Sequence, residues 1–142
     1  MICIYKYIDT DIDNIKFNKW GWVLKNGKKL KEIKEMLRYG HSYTIYNEKP
    51  IAILSFFEYD KDRYYGFIIA DESFESNPKY AIKMKYLIGR VVNDFKPKEV
   101  VTISEDAPDL NKWHEFLGFK MEERNVKVYR GKPFSKWSIK WE

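Results

Sequence analysis

The spacing of hydrophobic residues changes period several times along this chain, and each change marks an element. Ile2 to Ile8 is β-branched and aromatic, a strand candidate, and Asp9-Thr10-Asp11 then offers capping oxygens to a short helix carrying Ile12 and Ile15. Trp20-Gly21-Trp22 interrupts the pattern. From Lys28 onward, Leu30, Ile33 and Leu37 form a helical stripe that Gly40 ends, and three strands are predicted at His41–Tyr46, Ile51–Phe57 and Tyr64–Ala70. Asn47-Glu48-Lys49-Pro50 and Asp60-Lys61-Asp62 read as the turns between them. Ile51 to Phe57 is apolar on both faces, which predicts a central strand covered above and below.

In the second half, Ala81, Met84, Ile88, Val91 and Phe95 recur at steps of three and four, with Leu87 and Val92 widening the stripe, so a long helix is predicted up to Pro97. Glu99–Ser104 is rich in Val, Thr and Ile, a strand pattern. Asp106 and Asp109 are capping candidates, and with Pro108 they start a helix over Leu110–Leu117. Leu110, Trp113, His114 and Leu117 fall on one face of it, which sets an imidazole among large apolar side chains. Gly118 can take the left-handed conformation that closes a helix, and Phe119 can then fold back on the last turn. Lys120–Tyr129 and Phe134–Trp141 read as a hairpin turned by Arg130-Gly131-Lys132-Pro133. Alternating α and β elements of this kind share one core, so residues 1–142 are expected to form one domain.

Composition narrows the function classes. The net charge is +5, and lysine supplies 21 of the 26 cationic side chains, which describes a solvated basic surface more than a set of bidentate phosphate readers. A lysine excess interleaved with aromatics would suit a nucleic acid, yet no nucleic-acid motif accompanies it. One cysteine, Cys3, and two histidines exclude a disulfide framework and a Cys/His zinc site. No apolar run approaches the ~20 residues that span a bilayer, and the first residues are too quickly interrupted by Lys6 and Asp9 for a signal peptide. A cytoplasmic protein is expected.

The ending Trp113-His114-Glu115-Phe116-Leu117-Gly118-Phe119 resembles the Tyr-x-x-x-Gly-Phe signature of the GNAT N-acetyltransferase superfamily, with His114 at the tyrosine position. The predicted order β-α-α-β-β-β-α-β-α-β-β is similar to that of the GNAT fold over essentially the whole chain, while the residue pattern is specific only from about Val100 to Phe119. Short phage-encoded members are closest in pattern, through Asn77-Pro78 before the long helix and the Trp-x-x-x-Leu-Gly-Phe ending. The resemblance implies a mixed, mainly antiparallel α/β (α+β) sheet of about six or seven strands flanked by about four helices. It also implies transfer of an acyl group from acetyl-coenzyme A (acetyl-CoA) to a primary amine, on a small molecule or on a protein lysine or terminus.

Aminolysis of a thioester requires a deprotonated amine, a stabilised oxyanion and a protonated leaving thiolate. By the resemblance, Asp71 and Glu72 at the end of the fourth strand are candidates for the base, His114 for the acid, and Gly66 for a bulge that exposes a backbone N–H to the carbonyl. Cofactor phosphates would meet the start of the long helix, at Ser76, Asn77, Lys79, Tyr80 and Lys83. The family pattern Arg/Gln-x-x-Gly-x-Gly/Ala is missing there, since Glu72 to Ile82 contains no glycine, and Glu72 and Glu75 are anions themselves. Trp20 and Trp22 are candidates for an acceptor pocket. Each residue has a plainer reading: His114 as a hydrogen-bonded core histidine, Asp71 and Glu72 as strand-end carboxylates, the tryptophans as core, and the run from Lys25 to Lys31 as a turn and a solvated helix face. The alternative function is therefore a GNAT-fold protein without catalysis, a phage assembly or protein-interaction module.

Overall fold

The computed structural model of the chain describes residues 2–16, 30–71, 73–74, 79–129 and 131–141, with backbone alone at 79–81 and 129. The elements are β1 (Cys3–Lys6), α1 (Asp9–Asp13), α2 (Leu30–Tyr39), β2 (His41–Asn47), β3 (Lys49–Asp60), β4 (Arg63–Ala70), α3 (Lys79–Phe95), β5 (Glu99–Glu105), α4 (Pro108–Leu117), β6 (Lys120–Tyr129) and β7 (Lys132–Lys140). This is the order expected from periodicity. The strands form one seven-stranded sheet in the order β1-β2-β3-β4-β5-β7-β6. Described pairings are antiparallel except for β4 with β5, which is parallel over Arg63–Tyr65 and Glu99–Val101.

The chain divides into two compact units, residues 1–57 with 67–84, and residues 58–66 with 85–142. In the first, Ile12 and Ile15 around α1 and Ile33 and Leu37 of α2 join Tyr7, Ile53 of β3 and Ile69 of β4 in one buried cluster, with Phe67 packed against it. β3 is central, as its two-sided apolar pattern requires, and Pro50 to Phe56 are all buried. Gly40 closes α2 for a steric reason: a Cβ there would stand 2.8 Å from Phe57 Cε1 and 2.9 Å from the Phe56 carbonyl oxygen. Beside it, Ser42 Oγ donates to the Leu37 carbonyl at 2.6 Å and lies 2.7 Å from Ser55 Oγ, so this buried polar pair has partners.

The turn after β2 is tighter than expected. Asn47 pairs directly with Lys49 across Glu48, which takes a left-handed φ of 67°, and Pro50 lies inside β3. The register shifts here, from Ile45↔Ala52 to Tyr46↔Pro50. A proline has no N–H for the ladder, and an irregular pair tolerates it.

In the second unit, Leu87, Val91 and Val92 of α3 are buried, with Val100 and Val101 of β5 and Trp137 of β7. Lys96, left-handed with φ 44°, ends α3 just before Pro97, its N–H bonded to the Val92 carbonyl at 2.9 Å. β7 begins at Lys132, two residues earlier than expected, pairing with Tyr129 across the turn.

Candidate functional site

Asp71 follows β4 in the first unit. Its backbone N–H donates to the Ile51 carbonyl at 2.8 Å, which continues the pairing with β3, and its side chain is wholly buried. The carboxylate accepts from the backbone N–H of Lys16 (2.9 Å), the N–H and hydroxyl of Ser73 (3.1 and 2.6 Å) and Lys49 Nζ (3.3 Å). The Ser73 N–H contact makes an Asx turn, and Phe74 N–H closes the loop on the Asp71 carbonyl at 3.0 Å. Burial alone would raise the pKa of this acid. The donors outweigh it and hold the carboxyl at about 2, so the group is ionised throughout the physiological range. A base at neutral pH needs a pKa near 7. The surroundings of Asp71 therefore fit a fastener, joining the residues after α1 to the end of β4, better than the expected proton acceptor.

His114 belongs to the second unit, on α4. That helix begins after Ala107, which is extended (φ −135°, ψ 143°) and makes no side-chain cap. Asp106, a capping candidate in the sequence, instead accepts from Asn111 Nδ2 at 2.8 Å and Arg124 at 3.2 Å. At the other end Gly118 is left-handed (φ 98°), its N–H bonded to Glu115 and that of Phe119 to the His114 carbonyl at 2.9 Å. His114 is the buried residue of the helix. Its ring stacks on Trp137 (centroids 5.2 Å, planes 19° apart) and meets Phe119 edge-on at 5.8 Å. Nδ1 lies 2.7 Å from the Leu110 carbonyl oxygen. Burial lowers the pKa of the imidazole, and the contact with Leu110 offsets this only partly. The carbonyl can only accept, so in the neutral ring Nδ1 carries the proton and Nε2 the lone pair. A neutral ring of this tautomer is a poor acid, which disfavours the role expected for His114.

At the start of α3, the backbone places Lys79 and Tyr80 in the first turn, which carries no carboxylate, and Lys83 is exposed one turn further on. Glu72, Glu75, Ser76, Asn77, Trp20 and Trp22 lie outside the described residues, as does most of the lysine run before α2. Gly66 follows the last of the three described β4–β5 pairs. Among the described residues, no three His, Cys, Asp or Glu side chains come together as a metal site would need, and no helix is long and apolar enough to cross a membrane.

Acetyltransferases are among the solved structures similar to the chain over nearly its whole length. One, assigned as a phosphinothricin N-acetyltransferase, superposes with a TM-score of 0.75 at 10% identity and covers 100% of this chain and 99% of its own. The spermidine N-acetyltransferase of Vibrio cholerae gives 0.72 at 10% identity, with 98% and 93% coverage. A GNAT-family acetyltransferase from Bacillus anthracis gives 0.70 at 9% identity, with 98% and 94% coverage. The fold is that of the GNAT acetyltransferases. No protein-family model and no curated protein matches the sequence. At such low identity the likeness is one of backbone path.

Within that GNAT fold, sequence reasoning passed over the partners that decide what the candidates can do. Lys16, Lys49 and Ser73 around Asp71 belong to no motif, and Lys16 is 55 residues away along the chain. Trp137 sits in the alternating segment Ser135–Ile139, whose inward positions are legible, but nothing there says that its ring meets His114.

Proposed function

We propose that this chain transfers the acetyl group of acetyl-CoA to a primary amine, carried by a small molecule or by a protein lysine or terminus. The observation that carries the reading is the likeness to N-acetyltransferases over nearly the full length of both chains. Bound acetyl-CoA would supply the activated acyl group. Lys79, Tyr80 and Lys83, with Ser76 and Asn77 ahead of them, would hold its phosphates. A first turn with a lysine and no carboxylate suits an anion at the positive end of a 17-residue helix.

The surroundings of Asp71 and His114 shape the proton steps. A lysine-like amine has a pKa of about 10.4 and must lose a proton before it attacks. Asp71 at about 2 is too acidic to take it. Glu72 is the remaining carboxylate candidate and would act directly or through one water. A thiol has a pKa of about 8.5, so the thiolate is a tolerable leaving group that solvent can protonate, and His114 need not act as an acid. The ring holds α4 against β7 in this reading.

Thermal-shift titration with acetyl-CoA, followed by thiol release in the presence of spermidine, phosphinothricin and a lysine peptide, tests the proposal. A ligand at 100 times its dissociation constant stabilises a fold by about 2.7 kcal/mol, a shift easily read. Absence of both the shift and any thiol release would end the proposal. A second reading, a GNAT-fold interaction module without catalysis, is favoured by one observation: both described catalytic candidates are already engaged by their own unit. Binding of acetyl-CoA without turnover of any amine would point to that module.

A further inference from the structure

We propose that one face of the sheet in the second unit binds single-stranded nucleic acid, separately from the acetyl-transfer chemistry. A chain of side-chain contacts defines that face. Tyr59, near the end of β3, packs its ring on Tyr65 of β4 (centroids 4.7 Å) and donates its hydroxyl to Glu99 of β5 at 2.7 Å. Glu99 meets Lys140 of β7 at 3.7 Å, Lys140 meets Glu122 of β6 at 3.1 Å, and Glu122 meets Lys136 of β7 at 3.7 Å. Arg63 and Ile103 stand at even spacings from Tyr65 and Glu99 along their strands and so share the face. All of these residues belong to the second unit.

The helices of this unit lie on the other face. Tyr64 and Trp137, each next in sequence to a residue of the first face, point away from it, and they meet Phe95 of α3 and His114 of α4. On the first face Tyr59, Tyr65 and Ile103 are 44%, 45% and 46% exposed, and Arg63 is exposed beside them. Two carboxylates share this face, but in each ion pair the lysine stands further out. The Lys140 side chain is 65% exposed over Glu99 at 13% and Glu122 at 29%, and Lys136 is the more exposed partner of Glu122. What the face presents to solvent is therefore a row of cations next to a patch of rings.

A single strand complements both features: its phosphates pair with Arg63, Lys136 and Lys140, and its unpaired bases stack on aromatic side chains whatever their sequence. Tyr65 and Lys140 stand two strands apart in the sheet, about 10 Å, so rings and ammonium groups are within reach of one short strand. A duplex keeps its bases stacked on one another and offers this face only phosphates. An acidic peptide answers the cations but brings no flat rings for Tyr59 and Tyr65. The sequence carries no nucleic-acid motif because the tyrosines and the cations come from β3, β4 and β7, which only the fold brings side by side.

The test is fluorescence anisotropy of a labelled oligothymidylate of about 15 nucleotides, titrated with the whole chain. No acetyl-CoA is present, so the outcome does not depend on the acetyl-transfer reading. Binding is expected, and between about 50 and about 200 mM salt the affinity should fall at least about tenfold, as counterion release at three phosphate contacts requires. Tyr65→Leu should weaken binding at least about fivefold, the low end for one stacked base, while Tyr65→Phe should leave it unchanged. Lys140→Gln should flatten the salt slope by about 0.7. No binding at low salt, a duplex bound as tightly as the single strand, or full affinity in Tyr65→Leu would each overturn the proposal. Polyglutamate displacing the strand as well as unlabelled oligonucleotide does, at equal charge, would also overturn it and point to an acidic protein instead. The ligand comparisons use the unaltered chain, so they decide the matter even if a variant does not fold.

Discussion

Asp71 stands among donors, and His114 stands among rings. Both are buried titratable groups at positions where the family resemblance expects proton transfer, and each is held in one protonation state by opposite means. Around Asp71, two backbone N–H groups, a hydroxyl and an ammonium favour the charged form strongly enough to overcome burial. Around His114, burial beside Trp137 and Phe119 favours the neutral form, and one carbonyl contact does not reverse it. Burial by itself therefore says little about a group's charge. What decides is the number of hydrogen-bonding partners that come with it.

The largest test of this contrast is Asp71→Leu. It leaves the N–H groups of Lys16 and Ser73 without an acceptor, at about 1–3 kcal/mol each, so a loss of about 3 kcal/mol is expected in urea denaturation. The wild-type acid limb gives a second reading. Because the folded pKa of about 2 is below the ordinary 3.8, the stabilisation is present above pH 4 and fades as pH falls toward 2, and its size is about 2 kcal/mol. A variant with the same acid limb as wild type would show that these donors do not hold the charge.

The fold was legible because its signals are local and periodic. The two-sided apolar run of β3, the stripe of α3 and the Gly118 stop each predict an element that the structure contains. Pro50 misled as a turn residue because an irregular pair can house a proline inside a strand. Asp106 misled as a cap because Asn111 and Arg124 compete for its oxygens. The site was less legible: the burial of His114 follows from its helical face, but its neutral state depends on a tryptophan brought in by β7. The ionisation of Asp71 depends on residues from three separate parts of the chain.

Gly118→Ala probes the second region through its backbone. A left-handed alanine costs about 1–2 kcal/mol, and its Cβ would stand 3.2 Å from Ile139 Cδ1, so thermal unfolding should show a loss of at least that size. His114→Phe keeps a flat ring against Trp137 and removes the contact with Leu110, for an expected loss of about 1 kcal/mol. Its pH signature separates it from a packing change. A histidine whose folded pKa is lowered stabilises fully above the unfolded value of about 6.5 and loses that contribution as pH falls through it. Wild type should therefore lose stability from pH 7 to 5 relative to His114→Phe. If thiol release is observed, this variant should retain it within about tenfold, because a general acid is typically worth 10²–10⁴.

The smallest effect is expected at Lys49, and it sharpens the account of Asp71. The ammonium is 3.3 Å from the carboxylate, but its side chain is 52% exposed while the acid is fully buried. Water screens one partner and not the other. Lys49→Met should cost no more than about 0.5–1 kcal/mol, as other exposed ion pairs do, and should leave most of the acid limb in place, because the Lys16 and Ser73 donors remain. A loss as large as that of Asp71→Leu would mean that the ion pair, and not the ring of backbone and hydroxyl donors, keeps this buried carboxylate charged.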